Sequence, residues 1–328
     1  MKEILNHLFE HKTLDKATAR EVLIHLAQGH YNHSQMAAFM TVFLMRSITV
    51  EELSGFRDAM LELCIPFDTQ GMHTIDVCGT GGDAKDTFNI STLVAFVVAG
   101  AGIKVVKHGN YGVSSVSGSS NILEHFGYRF TNEQDKLLRM LERANIAFLH
   151  APVFHPAMKN VAPVRRELGV KTFFNMLGPM VNPAFPTSQF VGVFSLELAR
   201  KYGYLYQQTG KNFTIVHSLD GYDEISLTSP CKIIDTQGEK VLQPQDFSFG
   251  TKTRESLYGG KTVEEAAKIF IQVLEGKGTT AQNEVVLANA AVALRTAQPR
   301  LSLADALQQA QDSLMGGKAL HAFQNLLN

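Results

Sequence analysis

Apolar residues recur at three- and four-residue spacing near the start of the chain, at Ile4, Leu5, Leu8 and Phe9 and again at Ala19, Val22, Leu23 and Leu26. That period predicts amphipathic helices. Gly29 closes the second of them. Ser34 is placed to cap a helix over 36–45, and Thr49 with Glu52 makes a capping box for another that Pro66 stops. The third helix, MAAFMTVFLM, is apolar on nearly every face. It predicts burial on more than one side, against the rest of the chain or against a second copy.

Beyond position 70 the pattern changes to short apolar runs alternating with helical stretches. Residues 75–78 read as a strand that ends at Gly79-Thr80-Gly81-Gly82-Asp83, and Asn89-Ile90-Ser91-Thr92 has cap chemistry for an apolar helix over 93–99. Residues 103–106 read as the next strand, which delivers Lys107, His108 and Asn110 to the carboxyl edge of a sheet. A serine- and glycine-rich loop over 111–120 leads into a helix over 121–126. A further helix over 134–144, a strand over 146–149 and a helical run over 155–168 continue the alternation. Three prolines and a glycine over 172–186 interrupt it and predict a crossing back to the helical domain. Strands over 189–194 and 213–218 flank a helix, 231–235 and 240–242 read as a peripheral hairpin, and the remainder is helical. The expected fold class is α/β. A small all-helical domain over 1–70, joined by roughly 172–186, accompanies a large domain over 71–171 and 187–328 with a mostly parallel central sheet flanked by helices.

The loop over 79–83 carries the chemistry. Its glycines allow positive φ and close backbone approach, and free N–H groups at the following helix N-terminus favour an anion. It is neither GxxxxGK[ST] nor GxGxxG, so mononucleotide and nicotinamide readings lose weight. Asp83, Asn89, Ser91 and Lys107 converging on one loop exceed what a tight turn needs, and phosphate binding is the reading favoured. Asp223 and Glu224 follow a strand end and a glycine; alone they are a solvated turn, but beside a phosphate loop adjacent carboxylates suit Mg²⁺. Arg165 and Arg166 offer guanidinium forks for a carboxylate on a small planar substrate, although Arg166 with Glu167 also fits a surface pair. None of the histidines stands in HExxH and no serine in GxSxG, so most histidines are structural; His108, between Lys107 and Asn110, is the exception.

Composition narrows the classes. The chain has 328 residues, 45% of them hydrophobic, enough for two domains and a large core. Lys and Arg total 30 against 31 acidic residues, with no basic block, which argues against nucleic acid and anionic membranes. Cys64, Cys78 and Cys231 form no metal or disulfide spacing, which suits the cytoplasm. The N-terminus is charged from the start and the longest apolar stretch, 93–103, is too short to span a bilayer, so no export or membrane segment is expected.

Taken in order, GTGGD, TFNIST, KHGN, SSVSGS, PVRRELG, FNMLGPMVNP and DGYDEIS, with NEVVLANAAVAL further on, resemble the anthranilate phosphoribosyltransferases of tryptophan biosynthesis from end to end. The resemblance implies transfer of the phosphoribosyl group from phosphoribosyl pyrophosphate to the amine of anthranilate, with Mg²⁺; the all-round apolar third helix adds the expectation of a homodimer paired through the helical domain. The resemblance also implies that Gly79, Gly82, Asp83, Thr87, Asn89, Ser91, Thr92, Lys107 and Ser119 hold phosphoribosyl pyrophosphate. Anthranilate falls to Gly79, His108, Asn110 and Arg165, and magnesium to Ser91, Asp223 and Glu224. Where the family usually has Arg after KHGN and Ala-Asp after SGS, this chain has Tyr111 and Ser120-Asn121. Two competitors share the architecture: a pyrimidine nucleoside phosphorylase, whose base-binding motif is not visible here, and a nucleic-acid-binding paralogue, which would carry a basic groove and lose the carboxylate pair.

Overall fold

A computed structural model describes residues 1–112 and 118–328; most of the SSVSGS motif lies outside the described residues. The chain starts with α1 (Lys2–Phe9), α2 (Lys16–Ala27), α3 (His33–Met45) and α4 (Val50–Leu63). It continues through β1 (Thr74–Gly79), α5 (Ile90–Gly100), β2 (Lys104–Gly109), α6 (Ser119–His125), α7 (Gln134–Ala144) and β3 (Ile146–His150). Three short helices follow: α8 (Ala151–Phe154), α9 (Ala162–Leu168) and α10 (Phe174–Leu177). Then come β4 (Ser188–Gly192), α11 (Leu196–Gln207), β5 (Asn212–Ser218), β6 (Cys231–Asp235) and β7 (Gly238–Leu242). Four helices complete the chain: α12 (Val263–Leu274), α13 (Thr280–Ala297), α14 (Leu303–Leu314) and α15 (Lys318–Leu327).

These elements form two compact units, Met1–Pro66 with Ala151–Pro183, and Phe67–His150 with Ala184–Asn328. The stretch that groups with the N-terminal helices thus begins at 151. The expected crossing over 172–186 coincides with its end, where prolines mark the exit of the chain, whereas its entry follows directly on β3, with Pro152 and Pro156 inside short helical turns rather than in an evident linker. The helical run over 155–168 is also divided, into a 3₁₀ turn at Pro156–Asn160 and α9, which has Pro163 in its first turn.

In the helical unit, α3 starts earlier than Ser34 would set it. Asn32 is the cap, exchanging hydrogen bonds with Gln35. The Thr49–Glu52 capping box is present, and the fully buried Glu52 also accepts from Leu14 N at 3.0 Å and pairs with Arg46. Burial pushes the Glu52 carboxyl up, but Arg46 and the backbone N–H groups outweigh that and leave it below the usual range. Phe39, Phe43 and Phe56 form the core with Phe173, which stacks on Phe56 at 4.4 Å.

The α/β unit contains a seven-stranded sheet in the order β3-β2-β1-β4-β5-β6-β7. The first five of these strands pair in parallel, and β6 and β7 add an antiparallel edge. Helices α5 and α13 are apolar and buried along most of their length, which is why their sequences show no polar face. The order reverses between β1 and β4. That point lies at the carboxyl edge, where open α/β sheets bind ligands.

Candidate active site

The Asp223–Glu224 loop packs directly on the strand ends at that switch point. A Cβ on Gly79, at the end of β1, would stand 2.6 Å from Asp223 Oδ2, and one on Gly192, at the end of β4, would stand 1.5 Å from Asp223 O. Both strands therefore end in glycine to admit the carboxylate loop. Gly81, at φ +66°, donates its N–H to Asp223 Oδ2 at 2.7 Å, so the glycine loop is shaped by a carboxylate of the chain itself as well as for any ligand. Gly192 escaped the reading of the sequence, because a glycine ending an apolar strand gives no hint of which distant loop approaches it.

Asp223 and Glu224 are each 6% exposed. Burial, and then the charge of Asp83, push Asp223 up to about 8. Burial and Asp223 hold Glu224 well above the usual carboxylate range, against the pull of Lys107 and the backbone of Ser91. Glu224 Oε2 and Asp83 Oδ2 are buried with no hydrogen-bond donor among the described residues. Three carboxylates crowded in this way, beside the N-terminus of α5, fit a hard divalent cation. Among the described residues no three His, Cys, Asp or Glu side chains are arranged as a closed metal cage. Mg²⁺ needs none, since it keeps waters and takes the rest of its oxygens from a phosphate.

Lys107 is not on a loop. Strand β2 runs on to Gly109, three residues past the expected end, and carries Lys107 and His108 within it. Lys107 is 2% exposed and donates to Val77 O at 2.6 Å and to Ser91 Oγ at 3.4 Å. Burial pushes its pKa down, and the neighbouring Cys78, Asp76 and Glu224 pull it back up. His108 is buried, and its N–H donates to Asp76 Oδ1 at 3.2 Å. Asn110 follows at the strand end, exposed, with Oδ1 accepting from Tyr111 N at 2.8 Å. Asn89 is the cap residue of α5 with Thr92 buried behind it, and Ser119 opens α6, its Oγ 3.3 Å from Asn110 O. Thr87 forms a backbone bridge with Tyr258, which fixes the far end of the glycine loop. Thus Gly79, Asp83, Ser91, Lys107, Asp223 and Glu224 are brought together in one unit.

Arg165 belongs to the other unit. The helix that bears it groups with the N-terminal bundle and does not continue the α/β alternation. Its guanidinium lies 5.1 Å from the centre of the Phe174 ring, the only partner it has among the described residues, and burial pushes its pKa down. Arg166 is exposed.

Asn289 was not singled out in the sequence. It is fully buried on α13 and binds both backbone groups of Ile225, next to Glu224. The signal was present: one amide stands in the otherwise apolar run VVLANAAVAL. Ser218 adds a second anchor, donating its hydroxyl to Glu224 O at 2.7 Å.

A helical unit, together with a second unit that has a parallel sheet, a glycine loop at a helix N-terminus and buried carboxylates at the switch point, defines a glycosyl transferase of the phosphoribosyl-transferring class. Residues 2–64 match the helical bundle domain of the glycosyl transferase family and residues 71–320 its a/b domain. Anthranilate phosphoribosyltransferase of Flavobacterium johnsoniae is 60% identical over 326 residues, covering 99% of this chain and 98% of the relative. The crystal structure of anthranilate phosphoribosyltransferase from Thermus thermophilus superposes with a TM-score of 0.91 at 31% identity, covering 98% of each chain. The Saccharomyces cerevisiae enzyme in complex with PRPP and Mg gives 0.89 at 25% identity, covering 98% of this chain and 95% of that one. The chain belongs to the anthranilate phosphoribosyltransferase family.

Proposed function

We propose that this protein transfers the phosphoribosyl group of 5-phosphoribosyl 1-pyrophosphate to the amine of anthranilate, giving N-(5-phosphoribosyl)anthranilate and pyrophosphate in tryptophan biosynthesis. The bond from the ribose C1 to pyrophosphate breaks, a C1–N bond forms, and the nitrogen then loses a proton. An aromatic amine is neutral near pH 7 and needs no strong base to free its lone pair. Departure of the anion is the demanding event. The observation that carries this reading is the buried Asp223–Glu224 pair set against the glycine loop and the N-terminus of α5.

Asp223, Glu224 and Ser91 would hold Mg²⁺, which supplies positive charge to the pyrophosphate oxygens. Gly79, Gly82, Asp83, Thr87, Asn89, Thr92 and Ser119 would seat the donor through backbone N–H groups and hydroxyls. Lys107 would add positive charge for the donor from a buried position where its field is little screened. Gly79, His108 and Asn110 would meet the acceptor, and Arg165, whose guanidinium lies over the Phe174 ring, would suit the acceptor's carboxylate. We propose further that the enzyme works in the cytoplasm as a homodimer paired through α3. Leu44 and Met45 at the end of that helix support the pairing, being 45% and 83% exposed. The test is loss of anthranilate fluorescence with phosphoribosyl pyrophosphate and Mg²⁺. Consumption must stop when the metal is chelated; consumption that continues, or none at all, rejects the reading.

A further inference from the structure

A buried imidazole stands at the root of the loop that carries Asn110. His150 is the last residue of β3, in register with Gly109 of β2, and is 4% exposed. Its Nδ1 lies 2.9 Å from Ser120 Oγ. The ring stacks on Phe130 at 4.1 Å and receives the Tyr111 ring edge-on at 5.0 Å. With no carboxylate among these neighbours, burial holds the ring neutral. A neutral imidazole can accept from the Ser120 hydroxyl or donate to it, so the link survives in either tautomer.

Two of the imidazole's partners, Ser120 and Tyr111, also bind Asn110. Ser120 N donates to Asn110 O at 3.2 Å, and Ser119 Oγ donates to the same oxygen at 3.3 Å. On the other side Tyr111 N donates to Asn110 Oδ1. That bond engages the amide oxygen, so Nδ2 is the group left to donate, the correct polarity for a carboxylate or carbonyl acceptor. Tyr111 Oη donates to Glu124 Oε1 at 3.3 Å, and Gly112 N donates to Asn121 Oδ1 at 2.9 Å. These contacts build one connected clamp, with His150 as its hub.

We propose that His150 is a positioning residue for the acceptor: through Ser120 and Tyr111 it fixes the amide of Asn110, and with it the affinity for an aromatic acid. The proposal rests on the reading of the reaction given above. His150→Phe keeps the stack on Phe130 and the edge contact with Tyr111 but deletes the bond to Ser120. We expect it to raise the anthranilate KM about fivefold, the size of one lost hydrogen bond, with kcat and the donor KM within about twofold. Ser120→Ala should reproduce the effect, the double variant should be no worse than either single one, and Ser120→Thr should restore the acceptor KM. Donor and acceptor KM rising together, additive single effects, or a lower Tm with unchanged KM would each overturn the clamp. Anthranilate binding, read from its own fluorescence, separates the two claims. No binding, or binding without turnover, in the unaltered chain rejects the reaction, whereas turnover together with binding equal to that of His150→Phe rejects the clamp.

Discussion

Asn289 holds Ile225 as a neighbouring strand would: its Oδ1 accepts from Ile225 N at 2.9 Å and its Nδ2 donates to Ile225 O at 2.8 Å. The second amide hydrogen goes to Val285 O, one turn back on α13, at 2.8 Å. A helix residue thereby fixes the backbone next to Glu224. Leu has nearly the same shape but none of the polarity, so Asn289→Leu leaves two buried backbone groups unpaired, at a cost of about 2–4 kcal/mol. We expect a lower Tm and a higher Mg²⁺ concentration for half-maximal rate. Thermal unfolding and a metal titration check both, and a Leu variant with unchanged values would show that the clamp is redundant.

The carboxylates yield a prediction in which stability and activity move in opposite directions. Asp223 and Glu224 are buried beside each other and beside Asp83, so in the metal-free protein burial and mutual repulsion penalise their ionised forms, which the unfolded chain adopts freely. Asp223→Asn with Glu224→Gln should raise the metal-free Tm by roughly 2 °C or more and abolish most turnover. Added Mg²⁺ should stabilise the unaltered chain and leave the double variant where it was. Full activity in that variant would remove the pair from the site.

How much of this could be read from the sequence depends on the distance over which each residue acts. GTGGD, Lys107 and DGYDEIS carry their chemistry in local patterns, and the structure brings them together. Asn289 and Ile225 are 64 positions apart, so only the fold reveals their bond. The same holds for Gly79 and Gly192, whose missing Cβ atoms make room for Asp223. Lys107 was expected on a loop because the apolar run ends at Val106. The polar residues that continue the strand are buried by partners from β1 and α5, and no periodicity encodes those partners.

His150 makes stability depend on pH. Burial pushes the folded imidazole down from 6.5 to about 4, so as acid is added the unfolded chain takes up the proton first. The contribution is whole above pH 6.5 and is lost as pH falls from 6.5 towards 4, about 1–2 kcal/mol over that window after allowing for solvent. His150→Phe should therefore show a shallower decline of Tm across it. Parallel profiles for the two proteins would locate the acid sensitivity elsewhere.

For assembly, the choice of substitution follows from burial. Phe39 has no exposed surface and packs on Phe43, Phe56 and Phe173, so a charge there tests folding and not pairing. Leu44→Glu with Met45→Glu places charge on exposed positions of the same helix. A dimer paired through α3 should dissociate at micromolar concentration with little change in the Tm of the monomer. A mass unchanged by the substitutions, measured by light scattering, would move the interface off this helix.

The last prediction concerns the carboxylate of the acceptor. Arg165 and Arg166 are adjacent on α9, so their side chains leave the helix about 100° apart, and their surroundings differ accordingly. Arg165 lies over the Phe174 ring at 5.1 Å in a position buried enough to depress its pKa, whereas Arg166 is exposed. A stacked guanidinium keeps its edge free for two parallel hydrogen bonds, worth on the order of 2–3 kcal/mol to a partly desolvated carboxylate. Arg165→Ala should raise the anthranilate KM tenfold or more and affect phosphoribosyl pyrophosphate far less. Arg165→Lys should recover only part of the loss, since an ammonium offers a point charge in place of a fork. Aniline, which lacks the carboxylate, sharpens the test: the unaltered enzyme should discriminate strongly against it and the Ala variant much less. An acceptor-specific defect in Arg166→Ala, with Arg165→Ala behaving as the unaltered chain, would transfer the role to the exposed neighbour and leave the stack on Phe174 a purely structural contact.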